Sequence, residues 1–102
     1  MRTLHALQRE MLVLVADYSN PCGQDIKREL EEFHDGTIRS EQLYHHLDAL
    51  CDRGLVEKRH ADGRTNAYVL TDQGAQWLDR QRHWVESHIA HENVTGSIQT
   101  GR

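Results

Sequence analysis

Apolar side chains at Leu4, Leu7, Met11, Leu14, Val15 and Tyr18 recur mostly three and four positions apart, the spacing that lines one face of an α-helix. This stripe predicts a first helix over 3–18, with Thr3 as its N-cap. Ser19, Asn20, Pro21, Cys22 and Gly23 then gather turn formers around the sole proline, so the chain must stop and reverse there. Ile26, Leu30 and Phe33 mark a second helix over 24–33, which Asp35 and Gly36 end. Ser40, followed by Glu41 and then by Leu43, Leu47, Leu50 and Cys51, predicts an N-cap and a third helix that closes at Gly54.

Past Gly54 the periodicity changes from helical to alternating. Leu55, Val56, Glu57, Lys58 and Arg59 read as a strand, Asp62-Gly63 is a tight-turn signal, and Asn66, Ala67, Tyr68, Val69 and Leu70 can return antiparallel. Thr71 and Asp72 cap a fourth helix of about 20 residues, whose apolar seam is Trp77, Leu78, Trp84, Val85 and Ile89. The expected organisation is a domain over 1–92 that includes this helix at 72–92, followed by a flexible tail over 93–102. The fold class is mainly α with a small β-hairpin: helix, helix, short extended piece, helix, hairpin, helix. Two short helices joined by a turn, with a two-stranded ribbon directly after the second, form a winged helix-turn-helix, in which one helix can enter a DNA major groove. A helical domain with an incidental hairpin, or a winged helix that docks another protein, shares that order.

The residues narrow the choice. Leu43-Tyr44-His45-His46-Leu47-Asp48-Ala49-Leu50, then Gly54-Leu55-Val56-Glu57, then Tyr68-Val69-Leu70-Thr71-Asp72-Gln73-Gly74 resemble the PadR-like winged-helix regulators. Their pattern is an LY pair with leucines three and six positions after the tyrosine, a GL pair, a wing, and Y-x-LT-x-x-G. Gly63-Arg64-Thr65-Asn66 with Tyr68 is similar to archaeal members and to related repressors of archaeal viruses. The similarity spans roughly residues 5–85, and it departs at His45, where the family often has proline. It implies a DNA-binding transcriptional regulator, a repressor; two copies of the chain would present two recognition helices to a palindromic double-stranded DNA site. It also implies that Tyr44 offers its hydroxyl to a phosphate. Effector-responsive members carry a longer C-terminal helical domain than the single helix expected here, so no small-molecule effector is required.

Composition adjusts this picture. At 102 residues the chain builds one thin core. With 12 Lys and Arg against 16 Asp and Glu, a net charge of −4, it is no polycation, so a nucleic-acid site must be local. Residues 38–68 hold five bases and five acids, which makes them the least acidic part of the chain. Cys22 and Cys51, far apart and outside any CxxC, read as ordinary thiols of a reducing compartment. No apolar run approaches a membrane span, and the first residues lack the order of a signal peptide, so a cytoplasmic protein is expected.

Leu43, Leu47 and Leu50 should bury one face of the third helix and leave Glu41, Gln42, His45, His46 and Ala49 for base edges or phosphates. Gln42 is the best base reader, because its amide can pair bidentately with adenine. Arg39 and Ser40, at the helix start, suit a phosphate drawn by free amides and the positive dipole end. Lys58, Arg59, His60, Arg64 and Asn66 put cations and an amide on the wing, for the backbone or a minor groove. Dimerisation is expected through Trp77, Leu78, Trp84, Val85 and Ile89 with Leu4, Leu7 and Met11 of the first helix, since the fourth helix shows more apolar width than a thin core can cover. His83, His88 and His91 with Glu86 and Glu92 crowd the last helix without completing a ligand set, so no metal and no cofactor is expected. Nucleophile-elbow, H-E-x-x-H and P-loop spacings are missing from the sequence, which argues against an enzyme.

Overall fold

A computed structural model of the chain describes residues 4–62 and 65–95. The elements run α1 (Ala6–Asp17), α2 (Gly23–His34), α3 (Ser40–Asp52), β1 (Val56–Asp62), β2 (Thr65–Leu70) and α4 (Asp72–Thr95). This is the winged helix-turn-helix that the order of elements predicts.

The ends of the helices differ from expectation in instructive ways. α1 begins at Ala6, later than the leucine stripe suggests, because His5 forms a reciprocal cap. Its Nδ1 accepts from the Leu7 N–H at 3.2 Å, while Gln8 Oε1 accepts from the His5 N–H at 3.3 Å. Thr3, the expected N-cap, lies outside the described residues. α2 starts a residue earlier than predicted: the Asp25 carboxylate accepts the Cys22 N–H at 3.1 Å, and that bond holds the Asp25 carboxyl below the usual range. Its C-cap is Asp35, in the left-handed region at φ 53°. Ser40 is not the N-cap of α3; Arg39 holds that position with extended backbone, and Ser40 is the first helical residue. Gly54 ends the α3 turn at φ +77°, a conformation that favours glycine.

β1 and β2 pair antiparallel with Lys58 opposite Tyr68 and Arg59 opposite Ala67, and the register shifts between His60 and Asp62. The hairpin is tied to the helices by its other edge. Tyr68 N–H donates to the Pro21 carbonyl at 2.9 Å, and Cys22 bridges Ala67 antiparallel. The Pro21-containing turn therefore acts as a short third strand, a role its turn chemistry did not announce.

Thr71 joins two elements with one hydroxyl. Its Oγ1 accepts the Gly74 N–H at 3.0 Å, capping α4, and donates to the Gly54 carbonyl at 2.7 Å, closing off α3. Gly74 lets α4 come that close, since a Cβ there would overlap the Leu55 carbonyl oxygen. The Leu-Thr-x-x-Gly run is thus the joint that sets α4 against the end of α3. α4 stays helical through Thr95, so the tail expected from 93 gives way to helix at 93–95; positions 96–102 lie outside the described residues.

The core lies where α1, α2, α3 and the hairpin root meet. Met11, Leu12, Ile26, Leu30, Leu43, Leu47 and Leu50 are its fully buried apolar members, each contributing roughly 1.5–3 kcal/mol by removal from water. Leu4 and Met11, expected at a dimer interface, are core residues of the single chain: both are buried among these side chains, which leaves no surface for a partner. Trp77 and Leu78 pack half-buried against the same core. No helix among the described residues is long and apolar enough to cross a membrane.

Candidate nucleic-acid interface

α3 is anchored by its leucines, and its opposite face is open. Gln42, Tyr44, His45 and Asp48 are exposed, as are Arg39 and Ser40 at its start. The entry to α3 is held by Glu31, whose Oε2 accepts the Ile38 N–H at 2.8 Å and the Lys27 ammonium at 3.0 Å. Those donors keep the Glu31 carboxyl below the usual range, the Ile38 amide first. Ile38 itself is buried, so the segment before α3 is pinned by both a side chain and a backbone bond.

His46 does not join the open face. It occupies the i+3 place in the stripe 43, 46, 47, 50 and points toward α1, where its Nδ1 lies 3.0 Å from Gln8 Nε2. The amide is the donor, so the imidazole nitrogen accepts. Its ring stacks tilted on His5 at 4.7 Å between centroids and meets His45 edge-on at 5.5 Å. Burial, and then the neighbouring His5 and His45, push its pKa below the ordinary imidazole value. The expected DNA contact at His46 is therefore corrected to a packing role between α1 and α3. The helical spacing carried that signal, since histidine fills a core position whenever a polar partner such as Gln8 is within reach.

On the wing two of the expected cations, Lys58 and Arg59, are already engaged. Arg59 binds the Glu57 carboxylate through Nε at 3.1 Å and Nη2 at 2.9 Å, and Lys58 Nζ stands 4.0 Å from Asp48 Oδ1 of α3. Both pairs are open to solvent, so they are weak and exchangeable. Arg64 falls outside the described residues. Asn66 is half-buried and, with Thr65 and Tyr68, lines a cleft of about 330 Å³ whose other wall is Cys22, Gly23, Gln24 and Tyr44. Tyr44 lies over the first turn of α2, where a Cβ on Gly23 would sit 2.6 Å from its Cε1. The first turn of α2 was not foreseen as part of this surface. Its glycine is uninformative in sequence because the contact it permits comes from a tyrosine 21 positions away. Cys22 and Cys51 are free thiols, and burial pushes the Cys51 thiol up.

Away from this face, α1 and α4 bound an apolar cleft of about 700 Å³ lined by Val13, Leu70, Leu78 and Val85. Beyond it, Trp84, Val85 and Ile89 are exposed, the Trp84 ring tilted on His88 at 4.3 Å. Leu7 is half-buried against the core. Of the histidine group on α4, His88 Nδ1 lies 2.8 Å from the Trp84 carbonyl, and no cluster that could hold a metal occurs among the described residues. The side chains of His91 and Glu92 lie outside the described set.

Comparison with known proteins agrees with this geometry. Over 85% of the chain and 78% of the other, the structure is similar to that of RosR from H. salinarum, with 38% identity and a TM-score of 0.80. A cysteine-to-serine mutant of Lactococcus lactis ZitR shares the fold alone, at 19% identity and a TM-score of 0.73, over 98% of this chain and 65% of that one. The transcriptional regulator YqjI of Escherichia coli K12 is 27% identical over 84 residues, which are 80% of this chain. The chain spans about two fifths of the length of the curated relatives it matches, 41% in the case of YqjI. The pattern that defines the transcriptional regulator PadR-like family matches residues 11–80. With more than half of its length in that match, on a winged helix-turn-helix frame, the chain belongs to the PadR-like family of transcriptional regulators.

Proposed function

We propose that the protein is a homodimeric repressor that binds a palindromic double-stranded DNA site, with α3 in the major groove and the β1–β2 wing on the flanking backbone. The observation that carries this reading is the two-sidedness of α3. Its leucines fix it to the core while Gln42, Tyr44 and His45 face outward beside Arg39 and Ser40. Gln42 would read a base edge; Arg39, Ser40, Tyr44, Lys58, Arg59, Arg64 and Asn66 would hold phosphates. Because Arg59 and Lys58 start in ion pairs with Glu57 and Asp48, DNA must displace those acids or leave them beside phosphates. Affinity should therefore be modest and salt-sensitive.

The dimer would form through the outer half of α4, where Trp84, Val85 and Ile89 present an uncovered seam next to the apolar cleft against α1. Two copies would then offer two α3 helices to half-sites about one DNA turn apart. Repression follows simply, since a small dimer seated on a promoter excludes polymerase. The test is a mobility-shift titration of promoter fragments against random duplex across a salt series, with the mass of the protein alone measured by light scattering. A salt-dependent shift that favours particular fragments, from a dimer, is expected. Equal or absent binding to all duplexes, with a stable protein partner recovered instead, would replace this reading with that of a protein-docking winged helix.

A further inference from the structure

We infer that Gln8 and His46 form a proton-operated latch between α1 and α3: neutral His46 holds the two helices together, and a proton on its ring releases α3. The inference goes beyond the DNA-binding reading and rests on it only for the consequence, a weaker grip on the duplex in acid.

The latch is one amide with both ends in use. Gln8 Oε1 accepts the His5 N–H at 3.3 Å and completes the cap of α1, while Gln8 Nε2 donates to His46 Nδ1 at 3.0 Å. A protonated imidazole carries an N–H on both ring nitrogens, so Nδ1 would then aim a hydrogen at a donor. Rotating the amide would turn its oxygen toward the ring, but it would also set an NH2 against the His5 N–H and break the cap. A proton on His46 therefore costs either the tie between the helices or the start of α1. The surroundings give no relief. His46 is 8% exposed, in the buried stripe with Leu43, Leu47 and Leu50. The titratable groups that face it are imidazoles: His5 from the cap of α1, at 4.7 Å between ring centroids, and His45 from α3 itself, at 5.5 Å. No carboxylate among the described residues bears on the ring, and burial with those two neighbours lowers its pKa from 6.5.

The direction of the device follows from these contacts. The closed arrangement resists a proton that an opened one, with the ring in water, accepts near the ordinary 6.5, so each pH unit below that value favours opening by up to about tenfold. Opening reaches the outer face through His45, the preceding residue. Its ring lies edge-on to His46 and is exposed beside Gln42 and Tyr44, on the side proposed to meet the duplex. When His46 withdraws toward water, that contact and the bond to α1 are lost together. The leucines keep α3 in the domain throughout, so what changes is its placement against α1.

The test compares the wild type with two variants at pH 7.5 and pH 5.5. His46→Asn keeps a polar side chain near the place of Nδ1 but cannot titrate. Gln8→Glu replaces the donor by a carboxylate that can still complete the cap and can accept from a protonated ring. Amide hydrogen exchange, expressed as protection so that the intrinsic effect of pH cancels, is followed without DNA in the first turn of α1 and in α3. Affinity for a duplex that the wild type shifts is measured at the same two pH values and at constant salt. The other histidines are common to all three proteins, so differences between them belong to the latch. From pH 7.5 to pH 5.5 the wild type should lose about tenfold more protection in these segments, and about tenfold more affinity, than His46→Asn does. Gln8→Glu should gain protection over the same interval, because a charged His46 then meets an opposite charge. That reversal decides the matter even if His46→Asn folds poorly. If none of the proteins shifts any duplex, the DNA-binding reading fails and the exchange measurements alone decide the latch. The inference is overturned if wild-type protection falls no further than that of His46→Asn, if Gln8→Glu opens in acid as the wild type does, or if the duplex is bound with the same pH response by all three.

Discussion

In α3 the apolar residues Leu43, Leu47 and Leu50 are all 0% exposed, whereas α4 leaves Trp84 60% and Ile89 51% exposed. Both helices carry an apolar seam that returns every three, four or seven positions, and both read the same way in a sequence. The difference is what stands opposite. α3 is short and lies between α1, α2 and β1, so its seam is covered within the chain and its polar face becomes the rigid, outward one. α4 has 24 residues, about 36 Å at 1.5 Å per residue, and only its first turns meet the core through Trp77 and Leu78. A seam covered from within makes a scaffold; a seam that runs past the edge of its own domain makes a surface for another molecule.

That contrast is open to a direct attack, and the largest effect should come from α3. Leu47→Ala removes a fully buried side chain and leaves a cavity, so it should cost about 2–5 kcal/mol in urea denaturation, a large share of the roughly 5–15 kcal/mol available to a domain. DNA binding should be lost with it. A cost near zero would mean that α3 is not anchored as described.

Trp84→Ala should do the reverse. With its ring facing solvent and tilted on His88, the single chain loses little packing, while the dimer loses an aromatic anchor. Sedimentation equilibrium should show the dissociation constant rise about 30-fold, the equivalent of about 2 kcal/mol, with the helical circular dichroism unchanged. An unaltered association constant would remove α4 as the dimer contact.

Most of this division of labour was legible in the sequence, and the gaps share one cause. The four helices, the hairpin, the Gly54 stop and the Thr71 cap follow from local spacing and local hydrogen bonding, which a sequence displays. The sequence signal fails where a residue is claimed by something distant. Met11 fits a dimer seam as well as a core stripe until α2 and α3 close over it. Ser40 yields the cap position to Arg39 because Glu31 sets the backbone before α3 from seven residues away. Gly23, Gln24 and Tyr68 share a cleft only because Pro21 and Cys22 pair with β2. On the wing, charge counting sees five bases in residues 38–68 but not that Arg59 already holds Glu57.

That ion pair gives a smaller prediction on the α3 side of the comparison. Glu57→Gln frees the Arg59 guanidinium and removes a carboxylate from beside the proposed backbone contact. Both partners are mostly exposed, so the pair is worth little for folding, and the melting point should hold. DNA affinity at low salt should rise by about two- to fivefold, with a steeper dependence on salt as the released cation meets a phosphate. Equal affinity for the two proteins across the salt series would mean that β1 stays clear of the duplex.

The smallest effect tests the inner face of α3, where His46 is buried among the leucines. Burial, then His5 at the cap of α1 and His45 on its own helix, lower its pKa from the ordinary 6.5, and Gln8 of α1 donates to its Nδ1. Below 6.5 the unfolded chain therefore binds a proton at this position that the folded chain resists. The stability tied to His46 is complete above that pH and drains away as the pH falls from there to the lowered folded value. His46→Leu keeps an apolar residue of similar reach in the stripe and removes the titration, leaving Gln8, which is only half-buried, to find water. Between pH 7 and pH 5 the wild type should lose more of its melting temperature than the variant does, and the two curves should run parallel above pH 7. If the variant loses as much as the wild type over that interval, the imidazole is not sealed between α1 and α3, and α3 resembles α4 more than its leucines suggest.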